Sequence, residues 1–142
     1  MSWNKEKMMT HIRKYKNREI ARMAEKIIDF TEMEADEASW GRGKELGTLT
    51  FRCNSDMGLI SIFQISSKGY LRLLVNHLRE KEVPKPAMND FVLKLEANFL
   101  QDYDEENYPF DSFHDMDELF HTSAQVDKFI NSVEGLAYRL RQ

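Results

Sequence analysis

The sequence predicts an α+β fold in which an antiparallel meander of three or four strands packs against helices at both ends of the chain. Three observations carry this. Apolar residues recur at helical steps over the first thirty positions, through Met8, Ile12, Tyr15, Ile20, Met23, Ile27 and Phe30. From Gly41, Gly43 and Gly47 onward, β-branched and aromatic residues fall at strand spacing. Helical spacing returns after Pro86. The expected organisation is a single domain, 1–142, that is helical over 1–33, forms the sheet over 35–75 and is helical again over 86–142, with an acidic connector at 101–121.

Asn17 is a natural N-cap, so the first thirty residues read as two helices, one covering Trp3 to Lys16 and one starting at Arg18. The strands expected are Leu46 to Cys53, Met57 to Ile65 and Tyr70 to Val75, joined by the turn-forming stretches Asn54-Ser55-Asp56 and Ser66-Ser67-Lys68-Gly69. Leu49, Phe51 and Cys53 alternate with Thr48, Thr50 and Arg52, which gives the first strand one buried and one wetter face. Leu59, Ile60, Ile62, Phe63 and Ile65 make the next strand apolar on both faces, so it belongs in the centre of the sheet. Ala35 to Trp40 is a candidate edge strand. Proline suits a first helical turn, and Phe91, Leu95 and Phe99 form one stripe of a helix ending near Leu100. A last helix starts at Thr122 or Ser123, with Gln125 placed as in a capping box and a stripe of Val126, Phe129, Ile130, Val133, Ala137 and Leu140.

The 142 residues are 42% hydrophobic and 31% charged, which supports a packed core and excludes disorder. One cysteine, Cys53, precludes an internal disulfide, no signal-peptide pattern opens the chain, and no apolar run approaches a membrane span, so a cytoplasmic protein without a membrane role is expected. The net charge of −4 is unevenly spread: residues 1 to 29 hold eight Lys or Arg against four acids, whereas residues 101 to 127 hold nine acids and no Lys or Arg. A basic segment can contact phosphates; an acidic one favours basic partners or the protein's own basic end.

The helix–strands–helix order invites comparison with restriction-endonuclease-like nucleases, which need carboxylates on two central strands to hold a divalent metal and a lysine to orient water. Here the middle strand offers only Gln64 and the third only Arg72. No catalytic residue and no cofactor are expected from the sheet. The stretch Ser39-Trp40-Gly41-Arg42-Gly43-Lys44-Glu45-Leu46-Gly47-Thr48-Leu49, followed by Ile60 to Tyr70 with its Ser67-Lys68-Gly69 turn, and the Tyr108-Pro109 pair, resembles a small α+β accessory domain appended to predicted bacterial restriction-endonuclease-like nucleases. The resemblance spans residues 18 to 141 and departs at Thr48, where that domain has serine. It implies an accessory role in a bacterial or phage nucleic-acid-processing system, with no catalytic residues to carry over.

Three functional expectations follow. The first is a non-catalytic accessory or protein-interaction domain with a protein partner; an exposed edge strand also leaves room for a homodimer. The second is direct nucleic-acid binding, with Arg13, Lys14, Lys16, Arg18, Arg22, Arg42 and Lys44 as phosphate contacts. In that reading the glycines around Arg42 and Lys44 let backbone N–H groups approach an anion; the other reading is a tight turn before a strand. The third is a metal-dependent enzyme using His114, Asp117, Glu118 and His121, whose spacings put them near one face of a helix; a solvated acidic turn is the competing reading. Cys53 belongs to a buried strand face, and most of the eight methionines fill the core, with Met1, Met8 and Met9 as candidates for an adaptable exposed surface.

Overall fold

The structure, a computed structural model, describes residues 2–142. Two helices open the chain, α1 (Lys5–Tyr15) and α2 (Arg18–Glu34). The side chain of Asn4 accepts the Lys7 N–H and that of Asn17 accepts the Ile20 N–H, both at 2.8 Å, so each helix begins on an asparagine cap. Four strands follow: β1 (Glu37–Trp40), β2 (Thr48–Ser55), β3 (Gly58–Ser66) and β4 (Tyr70–Leu73). Then come α3 (Val75–Glu80), α4 (Lys85–Phe99), β5 (Phe113–Asp115), α5 (Met116–Leu119) and α6 (Ser123–Leu140). No described helix is long and apolar enough to cross a membrane.

The sheet has five strands, all antiparallel, in the order β1-β2-β3-β4-β5, and β3 is central as its apolar composition requires. The candidate edge strand forms over Glu37–Trp40. The fifth strand was not expected: the connector returns across the sheet and adds Phe113–Asp115 beside β4. Three residues pair here without any alternating apolar pattern, because the pairing comes from tertiary docking. Likewise Val75 opens α3 instead of closing a strand.

A register shift between Phe51 and Arg52 accounts for the doubly apolar middle strand. Phe51 pairs with Phe63 and Arg52 with Ser61, leaving Ile62 as the extra residue of a bulge. Ile60 thereby reaches the same face as Phe63, and Ile62 is buried as well. That face carries Leu49, Phe51, Cys53, Ile65, Leu71 and Leu73 against α2 and α6. Phe30 of α2 stacks on Phe51, Phe51 on Phe63, and Phe63 meets Phe129 of α6 edge-on at 5.0 Å between centroids. Phe99 of α4 and Phe120 close the same cluster from beyond α6. Met8 and Met9 are buried in this core, not exposed as expected, because α1 packs that side against α2; Met1 lies outside the described residues.

The acidic connector is ordered by its own side chains. Tyr103 and Tyr108 are buried with rings 4.9 Å apart, and Tyr108 Oη donates to the Leu73 carbonyl at 2.9 Å. Asp111 accepts from the backbone N–H groups of Asn76 and His77 at 2.8 and 3.0 Å, which caps α3 from a position 34 or 35 residues away in sequence. Arg79 donates to the Tyr103 carbonyl at 2.7 Å. A stretch rich in carboxylates thus folds because it supplies acceptors that neighbouring elements lack.

Candidate functional site

The junction of α1 and α2 places most of the basic residues. Arg13 sits in the last turn of α1, Arg18 and Arg22 on successive turns of α2, and these three line one cleft of about 480 Å³ together with Met9, Lys16, Ala21 and Glu25. All three arginines are exposed, and none makes an ion pair with a described residue. Glu25, the cleft's one acid, is held by Lys5 at 3.2 Å. Lys14, next to Arg13, is exposed and outside the cleft lining.

Lys16 belongs to a different arrangement. Its side chain is only 6% exposed, and its ammonium donates to Asp115 and, at 3.2 Å, to Asp117. Burial lowers its pKa, but the two carboxylate hydrogen bonds outweigh that and hold it above the ordinary lysine value. Lys16 also lies over the Tyr70 ring at 5.5 Å. It therefore ties α1 to the junction of β5 and α5, and is not offered to a ligand. Lys26 is similarly paired with Asp127 of α6. The two ends of opposite charge do meet, through these lysines.

Arg42 and Lys44 stand apart from the cleft, exposed on the 41–47 loop, whose glycines serve packing. The Trp3 indole donates to the Gly43 carbonyl at 2.6 Å and is 98% buried against the loop. The Gly41 N–H goes to the Thr48 carbonyl at 2.8 Å and the Gly47 N–H to Ser67 Oγ at 2.9 Å. With those donors spent inside the protein, the tight-turn reading accounts for the loop better than an anion cradle does.

On the sheet face opposite the core, one row crosses every strand: Ser39, Thr50, Gln64, Arg72 and Phe113 are successive register partners. Gln64 Nε2 donates to Thr50 Oγ1 at 2.9 Å, and Gln64 Oε1 accepts from Arg72 Nε at 2.9 Å and from Arg72 Nη2. The guanidinium also stacks over the Phe113 ring at 4.5 Å. Arg72 has no carboxylate partner among the described residues, and apart from Thr50 the row is half-buried. In the sequence Gln64 and Arg72 stand out only as failing a nuclease pattern; their alignment depends on the β3–β4 register, and its one sequence signal is polar residues recurring at alternate strand positions.

The four candidate metal ligands do not come together. His114 is in β5, with its Nε2 buried and unpartnered, stacked on Tyr108 at 5.8 Å. Asp117 reaches Lys16, and Glu118 and His121 are exposed. No group of three or more His, Cys, Asp or Glu able to hold a metal occurs among the described residues. The expected helical face fails because His114 is in a strand and α5 ends at Leu119, so only Asp117 and Glu118 share a helix. Desolvation holds the His114 imidazole below the ordinary histidine pKa and pushes the Cys53 thiol up to about 11. Cys53 is fully buried and 3.8 Å from the Ala137 carbonyl, which leaves it inert as a nucleophile. Comparison with known proteins adds no identity: no family model matches the chain, and neither the curated proteins nor the solved structures give a significant match.

Proposed function

We propose that this protein is a non-catalytic interaction domain, an accessory part of a nucleic-acid-processing system, that docks a protein partner on the half-exposed face of its sheet. The observation that carries the reading is the fixed Arg72 guanidinium. Gln64 and Phe113 hold its plane in place across three strands, and among the described residues no carboxylate pairs with it. A planar cation whose orientation is already set recognises a carboxylate with little further loss of entropy, so the partner surface contributes Asp or Glu there. The reading is supported further by the arrangement of reactive groups: the thiol is buried, and the histidines and carboxylates of the connector stand apart or serve as caps and clamps.

The test is photo-crosslinking in lysate of the native host from position 39, in the same row as Arg72 but outside its clamp, compared with position 93 on exposed α4, with and without nuclease treatment. A protein crosslinked from 39 but not 93, retained after nuclease and lost with Arg72→Gln, supports the reading. Equal labelling from both positions, or none, overturns it.

A further inference from the structure

We infer that the cleft between α1 and α2 is a phosphomonoester site, taking a nucleotide phosphate either as a free nucleoside monophosphate or as the phosphorylated end of a strand. This does not rest on the sheet-face reading, since it uses different residues on different elements.

The cleft's own charge sets the ligand's sign and size. Arg13, Arg18 and Arg22 line one cleft of about 480 Å³ and none of them makes an ion pair among the described residues, the cleft's Glu25 being held by Lys5, so three like charges share a small volume. Such an arrangement is costly in the free protein and is relieved by an anion. A phosphomonoester carries a charge of about −1.5 to −2 at neutral pH and three acceptor oxygens, which suits several guanidinium groups; a diester carries a single charge.

The surroundings argue against a long phosphate track. On one side, Lys16 is enclosed by Asp115 and Asp117; on the other, Glu25 and Asp29 surround Lys5. Arg42 and Lys44 are outside the cleft lining. The positive potential is therefore a spot bounded by carboxylates, and an extended backbone would run from it onto acids. Arg18 and Arg22 also line a second cleft of about 510 Å³ with Glu19, Met23, Lys26, Ser123 and Val126. The two arginines are shared by both clefts, so the second, with apolar surface from Met23 and Val126 among polar side chains, offers room beside the phosphate for the ester's organic part.

The experiment is titration of the intact protein by calorimetry with a nucleoside 5′-monophosphate, its parent nucleoside, a 5′-phosphorylated oligonucleotide and its unphosphorylated twin. The expected result is that the monophosphate or the phosphorylated strand binds at least tenfold more tightly than the matching molecule without the phosphate. Tight binding of the free monophosphate identifies a small-molecule ligand; tight binding of the phosphorylated strand alone identifies a strand end. Arg18→Gln and Arg22→Gln, both at exposed positions, are each expected to weaken this binding about tenfold, whereas Lys81→Gln at the end of α3, outside the cleft lining, leaves it unchanged. Equal binding of each phosphorylated probe and its counterpart without the phosphate, binding unaffected by both arginine variants, or no binding by any of the four probes overturns the inference.

Discussion

The indole of Trp3 occupies the space that a side chain at position 47 would need: a Cβ on Gly47 would lie 2.3 Å from Trp3 Cδ2. The N-terminal segment is thereby pinned to the loop entering β2, with the Trp3 Nε1 bond to the Gly43 carbonyl fixing the ring's edge. His11 meets the indole edge-on at 4.9 Å, and the Lys7 ammonium lies 4.3 Å from it. Gly47→Ala must displace a buried aromatic ring, so it is expected to cost about 1–3 kcal/mol, the range of overpacked cores. Urea denaturation checks this, and a midpoint equal to that of the parent would show that the indole is not held there.

The Lys16 clamp gives a second expectation. Removing Asp115 and Asp117 together as alanines leaves a largely enclosed ammonium without its two carboxylate acceptors, which sit at 31% and 53% exposure, and is expected to cost about 1–3 kcal/mol. Lys16→Met in the same background removes the charge while keeping the stem that packs over Gly69, and should restore most of the loss. Because the folded pKa is raised, this contribution is complete below the unfolded lysine value and fades as pH rises through the folded one. Thermal melts between neutral pH and pH 11 measure it.

His114 sets a pH dependence of the opposite kind. Burial among Tyr103 and Tyr108 lowers its folded pKa below the ordinary value of 6.5. The unfolded chain then binds the proton more readily, so stability falls as pH drops below about 6.5 and continues to fall until the folded pKa is reached. His77 is depressed in the same direction, again chiefly by burial. The slope of stability against pH between 7 and 5 should be smaller in His114→Gln and smaller still in the double variant with His77→Gln. An unchanged slope in both would contradict the burial argument.

Cys53 should react with Ellman's reagent only at the rate at which the protein opens, because its thiol is buried and its pKa is pushed up to about 11. Prompt labelling of the folded protein would contradict its placement between β2 and α6.

Several elements were legible in the sequence because their physics is local. Asn17 caps α2, Gln125 accepts from the Thr122 N–H at 3.2 Å at the start of α6, and Gly69 holds positive φ in the turn that joins β3 and β4, whereas the turn expected at Asn54-Ser55-Asp56 falls later because β2 runs on to Ser55. The alternation in β2 marked its buried face correctly. What was not legible depended on partners far away in sequence. Strand β5 pairs with β4 across more than forty residues, α3 is capped by Asp111, and the bulge at Phe51/Arg52 decides which side of β3 each residue serves.

The candidate sites divide in the same way. The sequence by itself determined which residues were basic, that helices and an antiparallel meander would form, and that no metal-holding pair of carboxylates would sit on the central strands, because residue type, capping and periodicity act over a few positions. Only the tertiary structure decided that Lys16 would be enclosed by Asp115 and Asp117 while Arg13, Arg18 and Arg22 make no ion pair among the described residues. It alone aligned Thr50, Gln64 and Arg72 in one row. Whether a charge is available to a ligand depends on which opposite charge folding brings within a few ångströms, and that distance is set by packing between segments about a hundred residues apart.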